Sequence, residues 1–272
     1  MNPLISISEF SKLDRNSVNL IFCAKTGETV KEYIESSLLF FVDETIPEFI
    51  SKARGMELDE EKPVVVYDKG ELNISCRVFW GLRATGHDDV RVLVGGLKAC
   101  ETSDVDLITG SPKLLDLTEP FLPFNSAVII PYADFVKKES YYQQVTYAEK
   151  LQFQITDSHG GIVNEQQLIK NLESAEITVN INKATMVHGP AAEIVAILLK
   201  YLGQRSVSVV LDNTEGFISA KKYRQSSTHK ETDPGTASNT RSMPVVDPGT
   251  VENPKPKVIE EQSKCTCNCV IY

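Results

Sequence analysis

Phe79-Trp80-Gly81-Leu82-Arg83-Ala84-Thr85-Gly86, followed by Asp88-Asp89-Val90-Arg91-Val92-Leu93-Val94-Gly95-Gly96, reads as a helix, a glycine stop and a buried strand. The unit returns as Ala196-Ile197-Leu198-Leu199-Lys200-Tyr201-Leu202-Gly203, then Arg205-Ser206-Val207-Ser208-Val209-Val210-Leu211-Asp212. Gly86 and Gly203 stand 117 residues apart, and Val90 with Val207 and Val92 with Val209 keep that offset. Solenoid periods run at about 20–50 residues, so a repeat this long marks a duplicated domain.

Outward from the repeat, short β-branched runs alternate with helical spacing. Ser17 to Cys23, Leu38 to Val42 and Pro63 to Tyr67 read as strands, with helices expected over Glu28 to Ser37 and Ile46 to Met56. The unbroken apolar run Pro63-Val64-Val65-Val66-Tyr67 is that of a strand buried on both faces of a parallel sheet. In the second half, Lys113 to Leu117, Ser126 to Ile130 and Ile177 to Ile181 read as strands, and Val163 to Ala175 and Ala191 to Leu202 as helices. Such alternation predicts an α/β fold, each copy a mostly parallel sheet flanked by helices. The expected division is one domain over 1–104, a second over 106–222, and a tail over 223–272.

The 272 residues suit about two domains on the usual size prior. A net charge of −9 argues against nucleic acid or an anionic membrane surface as partner, since both need clustered Lys and Arg. No run approaches the roughly 18 apolar residues of a membrane span. Met1-Asn2-Pro3-Leu4-Ile5-Ser6-Ile7 has neither the basic start of a secretory signal nor the Arg-rich pattern of a mitochondrial transit peptide, so the expected location is the cytoplasm. In that setting Cys23, Cys76 and Cys100, scattered singly, read as reduced thiols.

Beyond Arg224 five prolines interrupt a polar stretch whose one aromatic is Tyr272. Such a segment buries too little apolar surface to offset its ordering entropy, and disorder is expected. Its concentrated feature is Cys265-Thr266-Cys267-Asn268-Cys269-Val270-Ile271-Tyr272. Cys269 with two aliphatic residues and a last one has the form of a prenylation box, and Cys265 or Cys267 could supply the second lipid that a stable membrane tether needs. Tyr at the last position and Glu260-Glu261 upstream depart from the usual pattern. A metal cluster, which would need a fourth ligand, and plain exposed thiols are the rival readings.

Tyr67-Asp68-Lys69-Gly70, then Arg77-Val78-Phe79-Trp80, Leu82 to His87 and Val92 to Leu97, resembles the first half of the tandem rhodanese family, which holds the thiosulfate and 3-mercaptopyruvate sulfurtransferases. Ser126 to Phe135 resembles the segment that opens that family's second half. The resemblance implies two tandem rhodanese-like domains, no cofactor, and a small anionic sulfur compound as ligand. It also implies a nucleophilic cysteine in a strand-to-helix loop of the second domain. There converging backbone N–H groups and the helix N-terminus lower the thiol pKa, and the thiolate takes sulfur as a persulfide.

Asp68 fits the inactive first loop that the family commonly has, where a carboxylate caps the helix. In the second loop, counting back from Gly203 puts Met186 at the nucleophile's place, in Asn182-Lys183-Ala184-Thr185-Met186-Val187-His188-Gly189. No cysteine occurs between Cys100 and Cys265, and a thioether cannot carry a persulfide. Lys183, His188 and Gly189 are the candidate contacts for a residual anion, and of Cys76 and Cys100 the latter is the more reactive candidate, though nothing in its neighbours supports a lowered pKa. The expected function is a catalytically weak or inactive pseudoenzyme with a binding or regulatory role, its protein partner unidentified. The alternative is an active sulfurtransferase using a non-standard thiol.

Overall fold

Val64, Val65, Val66 and Tyr67 form a strand that exposes none of its four side chains, because helices cover both faces of its sheet. A computed structural model describes residues 2–42, 45–120, 122–149, 155–157 and 161–211. In chain order they form β1 (Leu4–Ile5), α1 (Ile7–Phe10), β2 (Asn19–Lys25), β3 (Glu32–Ile34), β4 (Leu38–Val42), α2 (Ile46–Arg54), β5 (Val64–Tyr67), α3 (Asn73–Ala84), β6 (Val90–Leu93), α4 (Gly96–Cys100), β7 (Leu107–Thr109) and β8 (Lys113–Leu114). They continue with β9 (Ile129–Pro131), α5 (Tyr132–Lys138), β10 (Gln144–Tyr147), α6 (Glu165–Ser174), β11 (Thr185–His188), α7 (Ala192–Tyr201) and β12 (Val207–Leu211).

Among the described residues the first sheet runs β1-β6-β5-β2-β4-β8 and the second β10-β11-β12-β9, and every pairing in both is parallel. The second sheet keeps the order of β2, β5, β6 and β1, with β10, β11, β12 and β9 in their places. Each of these strands is followed by its helix or loop on the chain, the arrangement that parallel pairing requires. The chain therefore has a mixed α/β fold of parallel sheets flanked by helices.

Alternation along β5 explains its composition. Val64 and Val66 face a core shared with α2 and α3, while Val65 and Tyr67 face one shared with α1 and α4. The first of these cores continues through Trp80 into α7 and β12, so one apolar cluster spans both sheets. Each fully buried Val or Leu contributes about 1.5–3 kcal/mol relative to exposure. Gly81 lets α3 lie close on α2: a Cβ there would stand 2.7 Å from the Phe49 ring. Gly81→Ala is expected to cost about 1–3 kcal/mol through overpacking.

Three sequence expectations are corrected. Glu28 to Ser37 is not a helix. It holds β3, which pairs antiparallel with β7 (Glu32↔Thr109 to Ile34↔Leu107), a partner no local spacing reveals. Ile177 to Ile181 is not a strand; the chain is irregular there, and the strand lies at Thr185–His188. Of Lys113 to Leu117 only β8 pairs in the sheet, Leu117 making an isolated bridge to Met56. The expected tail over 223–272, with Cys265, Cys267 and Cys269, lies outside the described residues. Among the described residues no helix is long and apolar enough to cross a membrane.

Candidate functional site

The turn from β5 into α3 occupies residues 68–72, and its backbone folds back on itself through Gly70 (φ +120°) and Leu72 (φ +64°). Leucine in the left-handed region costs about 1–2 kcal/mol, and its buried side chain offsets that strain. The result is a ring of N–H groups around one side chain. Asp68 Oδ1 accepts from the N–H of Gly70 (2.8 Å) and of Leu72 (3.2 Å). Asp68 Oδ2 accepts from the N–H (3.2 Å) and the hydroxyl (2.9 Å) of Ser75. The loop is an anion cradle whose anion is the protein's own carboxylate, only 3% exposed. From the other side the Gly95-Gly96 turn closes on it, with Leu97 N–H donating to the Asp68 carbonyl (3.0 Å). A Cβ on Gly96 would collide with that carbonyl oxygen. Ser75 was not singled out in the sequence; an acceptor side chain seven residues before a buried helical serine is the signal that marks it.

The second turn is built differently. β11 passes into α7 through residues 189–191 alone, two residues fewer than the first turn. Met186 is not on this loop. It is the second residue of β11, paired with Val145 and Ser208 and fully buried, because the strand starts later than the helix-based count implies. The residue that follows the strand, as Asp68 follows β5, is Gly189. Its φ is +112°, and a Cβ there would stand 2.5 Å from the Ala148 carbonyl oxygen. Ala191 N–H donates to the same oxygen (3.2 Å) and Ala148 N–H to the His188 carbonyl (2.7 Å), which clamps the turn onto the segment after β10.

His188 and Gly189 are therefore adjacent at the carboxyl end of β11. The His188 ring packs against Phe135 (centroids 4.8 Å apart) and Tyr147 (5.3 Å) and is 4% exposed. Lys183 is not with them. It precedes β11, and five extended residues span roughly 16 Å, so the three candidate contacts do not form one site.

The two turns meet through their helices. Arg77 of α3 reaches Glu193 in the first turn of α7 with Nε (3.1 Å) and Nη2 (3.0 Å), both on one carboxylate oxygen. Trp80 Nε1–H donates to the Glu193 backbone carbonyl (3.0 Å), and its ring is fully buried at this seam. Glu193→Ala leaves a half-buried guanidinium without its partner and is expected to cost about 2 kcal/mol. Trp80, the chain's one tryptophan, reports on the seam by fluorescence. A red-shifted emission is expected in Glu193→Ala and an unshifted one in the apolar pair Arg77→Met with Glu193→Leu; equal spectra in both would contradict this assignment.

The thiols of the first half are packing groups. Burial, reinforced by the Asp68 charge, holds the Cys23 and Cys76 thiols well above the ordinary range. Cys100 is raised less than Cys76 but is no reactive thiol either. It lies 2% exposed in α4 with its thiol toward the Gly96 carbonyl (3.4 Å), and burial pushes its pKa up to about 11. In a variant with Cys265, Cys267 and Cys269 changed to Ser, none of the three is expected to react with Ellman's reagent at neutral pH until the protein is unfolded. Rapid labelling of the native protein would refute the assignment. No group of three His, Cys, Asp or Glu side chains among the described residues could hold a metal ion.

No protein-family model matches the chain. It is 31% identical over 100 residues to a probable 3-mercaptopyruvate sulfurtransferase of Schizosaccharomyces pombe, a match covering 30% of this chain and about a third (34%) of that protein. Among solved structures it resembles SseA of Escherichia coli, described as a 3-mercaptopyruvate sulfotransferase of rhodanese fold. The TM-score is 0.56 at 18% identity, over 77% of this chain and 98% of that one. It also resembles EanB, solved in complex with hercynine, with a TM-score of 0.61 at 11% identity over 81% and 68% of the two chains. The chain has the rhodanese fold.

Proposed function

We propose that this rhodanese-fold chain is a sulfurtransferase-like protein that does not transfer sulfur and acts by binding. The reading rests on the turn after β11. Transfer requires a thiolate there to attack the donor sulfur, keep it as a persulfide and release the remainder of the donor as an anion. Here the turn carries Gly189, packed on the Ala148 carbonyl, and the sequence has no cysteine between Cys100 and Cys265. In the first turn the N–H groups of Gly70 and Leu72, with that of Ser75 in α3, are committed to Asp68. Those three N–H groups are thus held by the protein's own carboxylate and not offered to the small anionic sulfur compound that the resemblance implies. The division into two rhodanese units at 1–104 and 106–222 belongs to the same proposal, supported by the repeated strand order.

The test is incubation of the full chain with thiosulfate and with 3-mercaptopyruvate, followed by intact-mass analysis and assay of the released products. Neither a persulfide nor turnover is expected. Turnover abolished by changing one of the six cysteines would instead establish the alternative of a non-standard thiol. The tether read from Cys269-Val270-Ile271-Tyr272 is tested by intact mass of protein from its native cells: a lipid adduct on Cys269 would establish it, and an unmodified chain rejects it in favour of exposed thiols or a metal-binding group.

A further inference from the structure

A groove of about 450 Å3 runs beside β10, bordered by Gln144, Val145 and Thr146 on the strand and by Glu149, Glu176 and Lys183 around it. Along β10, Gln144 N–H donates to Ala184 and Ala148 N–H to His188. In a parallel ladder inward and outward groups alternate, so the Val145 N–H and C=O point away from β11, toward the groove. In the first sheet the corresponding side of β2 is filled by β4, in parallel register from Ile21↔Leu38 to Lys25↔Val42. Among the described residues no strand takes that place beside β10. Four strand residues span roughly 13 Å, which suits an extended segment of about five residues.

Charge gives the groove a direction. Lys183 lies at its amino end, beside the Ala184 carbonyl that Gln144 engages. Glu149 lies two residues past the carboxyl end of β10. None of Lys183, Glu149 and Glu176 forms an ion pair among the described residues. We propose that the edge of β10 is a docking site for an extended peptide segment of a partner protein. The segment adds as a strand parallel to β10, with an acidic side chain at its amino end against Lys183 and a basic one at its carboxyl end against Glu149. Main-chain bonds to Val145 supply the attachment and the two charges set polarity and partner choice. The inference deepens the binding role proposed above and rests on it. The sulfur-transfer assay tests the loss of catalysis separately, so failure of peptide binding leaves that loss standing.

The probe is acetyl-Asp-Val-Thr-Val-Lys-amide, titrated into the nitrogen-15-labelled full chain, with acetyl-Lys-Val-Thr-Val-Asp-amide as the reversed control. Amide shifts are expected over Gln144–Tyr147, with Val145 exchange slowed about tenfold at saturation. Two exposed ion pairs of ordinary strength make the reversed peptide bind about tenfold more weakly. Lys183→Gln and Glu149→Gln should each weaken binding about threefold. Val145→Pro should abolish binding in a folded protein, since an edge strand tolerates proline where its N–H faces outward. Equal binding of the two peptides, or no shift at β10, overturns the proposal. So does a Val145 amide already protected in the free monomer, which would mean the chain covers its own edge. Protection that appears only with rising protein concentration would mean a second copy is the occupant, and likewise rejects it.

Discussion

Asp68→Ala is expected to lose about 3–5 kcal/mol of stability, the largest effect of any single side chain in the first turn. The change leaves the N–H groups of Gly70, Leu72 and Ser75 facing one another in a buried pocket without an acceptor, while the Ser75 hydroxyl keeps the Leu72 carbonyl (3.3 Å). Uncompensated polar groups of this kind cost about 1–3 kcal/mol each before relaxation. Urea unfolding measures it, and a loss under about 1 kcal/mol would show that the ring of N–H groups does not converge on this side chain. Asp68→Cys extends the test from stability to chemistry. A thiolate in that ring accepts the same bonds, so its pKa should fall below the ordinary value of about 8.5. With Cys265, Cys267 and Cys269 changed to Ser, the pH dependence of alkylation reads this directly, against the slow background of Cys23, Cys76 and Cys100.

Gly189→Cys, in contrast, is expected to destabilise the protein by about 2–4 kcal/mol and to confer no sulfur transfer. At φ +112° a side chain is strained whatever surrounds it, and here its first atom would stand 2.5 Å from the Ala148 carbonyl oxygen. The chain must move at the turn, and a moved turn does not hold a nucleophile in place. Met186→Cys puts a thiol inside β11 instead, between Val145 and Ser208, where no donor molecule reaches it. It should fold with a modest loss, about 2 kcal/mol for the volume removed, and remain inert. A stable Gly189→Cys protein that accumulates a persulfide would remove the geometric basis of the proposed function.

The strand Val64–Tyr67, the helix over Ile46–Arg54 and the unit ending at Gly203 were legible because their burial writes itself into local spacing. β5 is covered on both faces, and no polar residue interrupts it. β3 was not legible. Its partner, β7, lies more than seventy residues along the chain, and Glu32-Tyr33-Ile34 by itself resembles a helical turn. β11 was missed for the opposite reason. Thr185-Met186-Val187-His188 has two residues of weak strand preference, held in the sheet by neighbours on both sides. Counting back from the helix end puts Met186 on a loop, whereas the strand runs on to His188 and holds Met186 inside it. That Asp68 is a carboxylate placed shortly before a helix is legible in the sequence. Its four donors were not readable, because two of them exist only through left-handed backbone at or beside Gly70 and Leu72.

The difference in length between the two turns has an evolutionary consequence. Five residues separate β5 from α3, and three separate β11 from α7. Of the three crossing residues Pro190 has no N–H and Ala191 gives its own to the Ala148 carbonyl, so the crossing itself offers an incoming anion at most the Gly189 amide. On the binding role proposed above, no single substitution at this turn is therefore expected to yield a sulfur-carrying loop. The nearest such sequence lies across an insertion, with a new contact for Ala148 besides. Selection acting one substitution at a time finds no slope in that direction, and it remains free to remodel the outer face of the second sheet.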